Sequence, residues 1–377
     1  MQEFGETIFA EMSALAARTG AVNLGQGFPD TDGPSEVAEA AIAAIRAGEN
    51  QYPPGLGIAP LRQAIAHHQQ RFYGIALDPD TQVLVTAGAT EAIAASLLAL
   101  CEAGDEVVTF EPYYDSYAAS IALAGASRRV VTLRPPDYGF DPAELDAAIT
   151  DRTRLILLNT PHNPTGKVFG DDELAHVARL AIEHDLIVVT DEVYEHIVFD
   201  GAHTPLSTLP GMAERTLTIS SAGKTFSFTG WKIGWVSGPA DLVAAVRTVK
   251  QFLTYVNGAP FQPAVAHALG LGDEVYVGLA HDLRARRDQL CDGLADIGFE
   301  VFVPAGTYFA TVDIASIGED DGRAFCLGLP ERCGVVAVPN VVFYDDVAAG
   351  RNLVRFAFCK RPEVIADALG RLRQLTA

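Results

Sequence analysis

Lys224 is the residue of this 377-residue chain whose position most strongly suggests covalent chemistry. It follows the apolar run Leu217–Ile219 behind four small residues, 220–223, which makes a fully solvated surface position improbable. A lysine withdrawn from water has a lowered pKa, and its neutral amine can act as a nucleophile or form a Schiff base. A P-loop would need glycine at position 218, where this chain has Thr218. The pattern therefore favours amine chemistry over nucleotide binding.

Small and polar residues also follow the apolar run Val83–Thr86. In the turn 87–91, Gly88, Ala89 and Thr90 leave backbone N–H groups open to an anion. The N-terminus of the helix predicted to follow adds a positive field, and the combination suits a phosphate group. Thr90 is predicted to cap that helix. An ordinary strand-to-helix turn is the alternative interpretation.

Asn163 and Asp191 each stand just after a predicted strand. Asn163 lies in the stiff turn 159–167, which follows Leu155–Leu158, and Asp191 follows Leu186–Thr190. A carboxylate at the end of a buried strand is costly unless a donor or a cation accompanies it. A plain Asn-Pro turn and a helix N-cap are the structural alternatives for these two residues.

Arg355 lies inside the apolar run 353–358. A guanidinium in such surroundings requires a partner, and its planar fork matches a carboxylate through two parallel hydrogen bonds. The sequence therefore indicates a binding site for an acid. A structural ion pair within the protein is the alternative.

An α/β fold must position these residues. From about residue 80 to 240, short apolar runs alternate with helical stretches, which is typical of buried strands in a largely parallel sheet. Ligands bind beyond the carboxyl ends of such strands, where the polar residues above occur. Long helices are predicted over Pro239–Tyr255 and Asp273–Ile297. A second, smaller α/β unit follows, with strands at Phe299–Val303, Tyr308–Ile314, Val335–Val338 and Leu353–Phe358 and a helix at Glu363–Leu375, and the segment before about residue 45 is expected to complete it.

Composition narrows the range of partners. The net charge of −21 repels phosphate backbones, so we expect neither nucleic acid nor a membrane surface as a partner. Five widely spaced cysteines and the lack of a secretory pattern indicate a cytoplasmic protein with reduced thiols. The nine histidines form no metal-binding motif, so no metal is predicted, and His67 and His68 are expected on a solvated helix face.

Several longer motifs together resemble one family. The chain is similar to the class I, fold-type I aminotransferases that use pyridoxal 5′-phosphate, in the branch of kynurenine, glutamine and methionine aminotransferases. It especially resembles the actinobacterial enzymes assigned as N-succinyldiaminopimelate aminotransferases. The motifs that carry the resemblance are residues 23–29, 50–52, 161–166, 191–196, 221–227, 229–232 and 354–356.

The resemblance implies a fold and a domain arrangement. It implies a large domain with a mostly parallel seven-stranded sheet and a smaller α/β domain. We expect residues 1–45 to form an N-terminal arm and part of the small domain, 46–280 the large cofactor-binding domain, and 281–377 the small C-terminal domain.

The resemblance also implies a role for each residue of the site. Lys224 holds the cofactor as a Schiff base and then moves the proton at the substrate Cα. Asp191 pairs with the pyridine nitrogen, and Arg355 binds the substrate α-carboxylate with help from Asn163 and Gly27. The other cofactor contacts are Gly88, Ala89, Thr90, Ser221 and Lys232 at the phosphate, Tyr114 on the ring face, and Tyr194 and Asn163 at the phenolic oxygen.

Three aromatic residues complete the expected site. Tyr52 is expected to reach the phosphate of a neighbouring subunit, which implies a homodimer with shared active sites. Phe9 and Tyr255 are expected in the substrate pocket, with ordinary core or interface packing as the alternative for both.

The function expected from the resemblance is amino transfer between an L-amino acid and a 2-oxo acid, with 2-oxoglutarate and glutamate as one pair. The specific expectation is the N-succinyl-LL-diaminopimelate reaction of lysine biosynthesis. Three alternatives stay open at this point: a broad methionine, glutamine or kynurenine aminotransferase, a β-eliminating cysteine-conjugate lyase, and a non-catalytic regulator that binds the cofactor.

Overall fold

The computed structural model describes residue 5 and residues 7–376. The strands are β1 Val22–Asn23, β2 Val83–Thr86, β3 Glu106–Glu111, β4 Ser127–Thr132, β5 Thr153–Asn159, β6 Ile187–Asp191, β7 Thr216–Ser221, β8 Gly234–Ser237, β9 Glu300–Phe302, β10 Phe309–Asp313, β11 Val335–Val336, β12 Val338–Pro339 and β13 Leu353–Ala357. The α-helices are α1 Ile8–Thr19, α2 Ser35–Ala47, α3 Ala59–Tyr73, α4 Gly88–Leu100, α5 Ser116–Leu123, α6 Pro142–Ala148, α7 Asp171–Glu183, α8 Ala222–Thr225, α9 Ala240–Lys250, α10 Phe261–Leu269, α11 Asp273–Ile297, α12 Gly322–Cys333, α13 Val347–Gly350 and α14 Pro362–Leu372.

A seven-stranded sheet forms the centre of the molecule, with strand order β2-β8-β7-β6-β5-β3-β4. Its strands are parallel except for β8, which runs antiparallel to both of its neighbours. Leu155–Leu158 of β5 are fully buried because helices cover both faces of the sheet, which explains the uninterrupted apolar run. The prediction of a mostly parallel seven-stranded α/β sheet is confirmed.

Register in this sheet brings the polar strand ends together. Asn159 at the end of β5 lies beside Asp191 at the end of β6, and Asp191 lies beside Ile219 of β7. Lys224 follows β7 by three residues, in the short helix α8. Residues that are far apart in sequence therefore meet at one edge of the sheet.

A second, antiparallel sheet of order β12-β13-β10-β9 carries Arg355 on β13. Next to it, β1 pairs in parallel with β11, through Val22 opposite Val335. The N-terminal strand thus pairs with a strand of the C-terminal third of the chain. The predicted strand Val335–Val338 is divided in two because β11 pairs with β1 while β12 pairs with β13.

Two further sequence predictions are wrong in detail. The helix predicted over Pro239–Tyr255 ends at Lys250, and Tyr255 takes a positive φ of 64° that an α-helix does not tolerate. The edge strand β4 was not predicted, since its first residues, Ser127–Arg129, are exposed or half-buried and read as a loop. The helix predicted over Asp273–Ile297 is observed with those bounds.

The five cysteines are buried and form no disulfide bonds. Across the part of the chain that the structure describes, no helix combines the length and apolarity needed to cross a membrane.

Candidate active site

A cavity of about 910 Å³ opens where the central strands end against the small sheet and helix α1. Thirteen of the residues predicted from sequence line it: Phe9, Gly27, Gly88, Ala89, Thr90, Tyr114, Asn163, Asp191, Tyr194, Ser221, Lys224, Lys232 and Arg355.

Lys224 extends from α8 toward this cavity. Its Nζ atom donates a hydrogen bond to the Tyr308 hydroxyl at 2.8 Å and lies 3.4 Å from the Gly27 carbonyl oxygen. The Tyr308 hydroxyl in turn donates to that same carbonyl oxygen at 2.5 Å. Removal of the amine from water lowers the pKa of Lys224 to about 8. A useful fraction of the amine is therefore unprotonated near neutral pH, as a nucleophile or a base requires.

Asp191 is the last residue of β6, and its side chain is buried. The Tyr117 hydroxyl donates to its Oδ2 atom at 2.6 Å, and the backbone N–H of Val193 donates to Oδ1 at 3.4 Å. Burial raises the pKa of Asp191 to about 6 even though these donors favour the carboxylate. A cationic N–H group brought into the cavity would relieve that cost.

Tyr194 lies close to Lys224, whose Nζ atom is 5.6 Å from the centre of the Tyr194 ring. Burial raises the pKa of the Tyr194 phenol, which keeps the hydroxyl protonated and able to donate. Its ring also meets the Tyr308 ring edge to face, with 5.2 Å between ring centres.

The turn before α4 concentrates positive charge. Gly88, the first residue of that helix, has a φ of 76°, and a Cβ atom placed on it would lie 3.1 Å from Nζ of Lys232. The ammonium group and the helix N-terminus thus meet at one point, which suits an anion such as phosphate. The prediction that Thr90 caps α4 is wrong: Ala87 occupies the N-cap position, without a side-chain hydrogen bond, and Thr90 lies inside the helix.

Arg355 is 1% exposed, and it is surrounded by aromatic rings. Its Nη1 atom donates to Oδ1 of Asn163 at 2.8 Å and its Nη2 atom to the Gly25 carbonyl at 3.0 Å, while Nε has no partner among the described residues. The guanidinium carbon lies 4.0 Å from the centre of the Phe309 ring and 5.2 Å from that of Phe9.

This environment leaves the Arg355 guanidinium without a counter-ion in the described part of the chain. Burial lowers the pKa of Arg355 to about 10, and no carboxylate lies within ion-pair distance of it in residues 5 and 7–376. A buried charge without a counter-ion is costly, and a carboxylate from the cavity would supply one together with a partner for Nε.

Three residues that contribute to the site were not predicted from sequence. Tyr308 holds the Lys224 amine, Tyr117 holds the Asp191 carboxylate, and Asn159 donates from Nδ2 to the Asp191 carbonyl at 2.7 Å. Asn159 also accepts from the Asn163 N–H at 2.7 Å. Asn159 ends β5 and Tyr308 directly precedes β10, whereas Tyr117 lies in helix α5. No spacing rule in the sequence links these residues to their partners.

Tyr52 and Tyr255 lie outside the cavity of the single chain. Their side chains are 82% and 52% exposed, and their rings meet edge to face with 5.6 Å between centres. Tyr52 and Tyr255 therefore form an aromatic pair on the protein surface, and neither residue lines the cavity of its own chain.

One histidine is not where the sequence suggested. His67 is exposed as expected, but His68 is 1% exposed, and its Nε2 atom lies 2.6 Å from Nε2 of His196. With Glu195, these two histidines place three metal-ligating atoms within 4.8 Å of one another. The expectation that His68 faces solvent is wrong, because its ring packs against His196, which lies 128 positions away in sequence.

Comparisons with known proteins place this cavity in context. The family model for aminotransferase class I and II matches residues 19–372. A probable N-succinyldiaminopimelate aminotransferase of Mycobacterium tuberculosis is 54% identical, with 100% of this chain and 97% of that protein aligned. A methionine aminotransferase of Escherichia coli is 41% identical, with 100% and 97% aligned.

Solved structures agree with the sequence relatives. The N-succinyldiaminopimelate aminotransferase of M. tuberculosis superposes with a TM-score of 0.98 at 54% identity, over 99% of this chain and 98% of that one. An aspartate aminotransferase of Thermus thermophilus superposes with a TM-score of 0.91 at 33% identity, over 99% and 98%.

Proposed function

The chain belongs to the aminotransferase class I and II family, and from that premise we propose that it transfers an amino group between glutamate and N-succinyl-2-amino-6-oxopimelate. It is a pyridoxal-phosphate-dependent aminotransferase that acts on an L-amino acid and a 2-oxo acid. The observation that carries the specific substrate is the 54% identity to the M. tuberculosis relative over the whole chain, against 41% to the methionine aminotransferase.

The cavity fits the cofactor of this family. The positive turn at Gly88 and Lys232 matches a phosphate, and the buried Asp191 carboxylate matches a protonated pyridine nitrogen. Tyr194 and Asn163 supply donors for the phenolic oxygen. When bound, pyridoxal phosphate supplies a conjugated ring that accepts the electron pair left when the substrate loses its Cα proton.

Lys224 is the proposed covalent anchor and proton carrier. The pKa of about 8 lets its amine both accept and return the Cα proton near neutral pH. Tyr308 holds the free amine at 2.8 Å, which limits the positions from which that proton transfer starts.

Arg355 is the proposed clamp for the substrate α-carboxylate. Two parallel hydrogen bonds from its guanidinium fix the acid, and with it the direction of the Cα–H bond relative to Lys224. Asn163 and the Phe309 ring hold the guanidinium in place before the substrate arrives, and the Gly27 backbone is proposed to contribute a further contact. Preorganised charge of this kind lowers the barrier without reorganisation during the reaction.

The chain is proposed to work as a homodimer in the cytoplasm. Tyr52, Tyr255 and the 79%-exposed Phe252 lie on the surface, where large aromatic side chains are typical of an interface. In the proposed dimer, Tyr52 contacts the phosphate bound by the partner, and Tyr255 borders the partner's substrate pocket.

A donor screen tests the substrate assignment. Purified enzyme is mixed with 2-oxoglutarate and with succinyldiaminopimelate, methionine, glutamine or kynurenine in turn, and glutamate formation is measured. The proposal expects the highest kcat/KM with succinyldiaminopimelate. A higher value with methionine or kynurenine would support the broad aminotransferase, and turnover with none of the donors would contradict the proposed function as a whole.

A further inference from the structure

Arg323 is a cation of the cavity that the proposed mechanism does not use. Among the described residues that line the cavity, four carry a positive charge: Lys224, Lys232, Arg323 and Arg355. Lys224 is the proposed proton carrier, Lys232 faces the phosphate turn and Arg355 the substrate α-carboxylate. Arg323, near the start of α12, has no partner among the groups of the cofactor and substrate assigned so far.

Arg323 lies on the side of the cavity formed by helix α1. Its Nη2 atom donates to both carboxylate oxygens of Glu11, at 3.0 and 3.3 Å. Glu11 also lines the cavity and follows Phe9 by two residues on α1, about 3 Å further along the helix axis. Phe9 in turn lies 5.2 Å from the Arg355 guanidinium carbon. Arg323 and Arg355 thus line the same cavity, and Phe9 lines it as well.

The ion pair between Arg323 and Glu11 is easily exchanged. Their side chains are 49% and 39% exposed, and a pair so close to water contributes little net stability. A carboxylate that arrives with a substrate can therefore replace Glu11 at small cost. A guanidinium fork can bind such a carboxylate through two hydrogen bonds.

We propose that Arg323 binds the distal carboxylate of dicarboxylic substrates while Arg355 binds their α-carboxylate. The substrate class is an amino or oxo acid with a second acid group at the far end of its side chain, such as glutamate, 2-oxoglutarate or an N-succinylated amino acid. Glu11 occupies Arg323 when the substrate is absent or neutral. This inference rests on the proposed aminotransferase function. It adds a residue that distinguishes substrates with an acidic side chain from substrates with a neutral one.

Glutamate and glutamine provide the test, because they differ in a distal carboxylate against an amide of nearly the same size. The kcat/KM for each is measured as amino donor in wild type, in Arg323→Gln and in Arg332→Gln. Arg332 is the matched control: it lies on the same helix, is 40% exposed and pairs with Glu319, and it is not among the cavity residues.

In Arg323→Gln, the ratio of kcat/KM for glutamate to that for glutamine is expected to fall by about fivefold or more. A change of that size corresponds to the loss of one charge-assisted hydrogen bond in a half-exposed site. Arg332→Gln keeps the wild-type ratio. Glu11→Gln, which removes the competing carboxylate, is expected to raise the ratio. An unchanged ratio in Arg323→Gln would falsify the proposal while leaving the aminotransferase assignment intact, since the wild-type rates report on that assignment separately.

A binding measurement gives a readout apart from turnover. Glutarate and its monoamide do not react, and their dissociation constants for the holoenzyme are obtained by calorimetry. Glutarate is expected to bind more tightly than the monoamide to wild type and to Arg332→Gln, and with equal affinity to Arg323→Gln. Equal affinity for the two compounds in wild type would overturn the proposal.

Discussion

Lys224 and Lys250 lie in different regions of the molecule, and the amine of each is withdrawn from water. Lys224 stands at the end of the central sheet with its amine toward the cavity, whereas Lys250, at the end of α9, is 1% exposed. Burial lowers the pKa of both. Yet the Lys224 amine is held by a tyrosine hydroxyl beside open space, and the Lys250 amine by the Tyr255 carbonyl at 2.9 Å and the Glu91 carboxylate at 3.9 Å.

The difference shows that a lowered pKa does not by itself identify a catalytic lysine. The Glu91 carboxylate also accepts from the Ala87 N–H at 2.6 Å and the Thr254 hydroxyl at 2.5 Å. Lys250 is therefore part of a closed network that joins the turn before α4 to the segment carrying Tyr255. Lys224 has access to a ligand, and Lys250 has a structural role.

Replacement of Lys224 is expected to lower turnover more than any other change considered for the two lysines. Lys224→Ala removes the proposed anchor and base, so turnover should fall by about 10³-fold or more. The side chain supports little of the core, so the melting temperature should stay close to that of the wild type. Steady-state kinetics and thermal unfolding of the apo-protein check both points. Residual turnover within tenfold of wild type would reject the assignment.

The pH dependence of amine labelling is expected to differ between Lys224 and Lys250. Because the pKa of Lys224 is lowered from 10.5 to about 8, its neutral fraction rises through pH 8 and levels off above pH 9. Ordinary surface lysines continue to gain reactivity up to about pH 10.4. Apo-protein is labelled with a trace of acylating reagent at each pH, and the tryptic peptides are quantified by mass spectrometry.

Lys250 is the internal control of that experiment. Its amine is enclosed, so its peptide should remain unlabelled at every pH at which the protein stays folded. Labelling of the Lys224 peptide with a midpoint near 10 would show that the cavity does not lower the pKa of this amine.

Replacement of Lys250 should act on stability. Lys250→Ala leaves the buried Glu91 carboxylate without its cation, at a cost of about 2 kcal/mol in the free energy of unfolding. Denaturant unfolding of the apo-protein measures this change. A turnover loss as large as that of Lys224→Ala without a change in stability would contradict the structural role given to Lys250.

Tyr308→Phe has the smallest expected effect, which is a change in the pKa of Lys224. The hydroxyl accepts from the amine and so favours its protonated form, and its loss should lower the labelling midpoint of Lys224 by less than one pH unit, or about 1 kcal/mol. Tyr344→Phe is the control, because the Tyr344 hydroxyl is buried without a hydrogen-bond partner among the described residues. A midpoint unchanged in Tyr308→Phe would remove Tyr308 from the positioning of Lys224.

Much of the framework follows from the sequence because it depends on local patterns. The strand β2 and the helix α11 have the predicted bounds, since an apolar run and a long helical period are visible in one stretch of chain. The placement of Lys224 and Asp191 at one sheet edge follows from the rule for parallel strands.

What could not be predicted depends on contacts between distant segments. Tyr308 meets Lys224 across 84 positions, and His68 meets His196 across 128. The helix predicted to reach Tyr255 ends at Lys250, where the amine is used by the network around Glu91. Neither residue type nor spacing carries such information. The domain boundaries expected at about residues 45 and 280 stay predictions.

The tight packing around Gly27 has a consequence for protein engineering. A Cβ atom at position 27 would lie 2.7 Å from Cε1 of Phe309 and 3.1 Å from Cε2 of Tyr308, so no other residue fits there without moving the rings that hold Arg355 and Lys224. A mutant library meant to alter substrate choice gains nothing from diversity at this position. Substitutions at Phe9 and Arg323, which line the cavity, are the ones expected to change substrate preference.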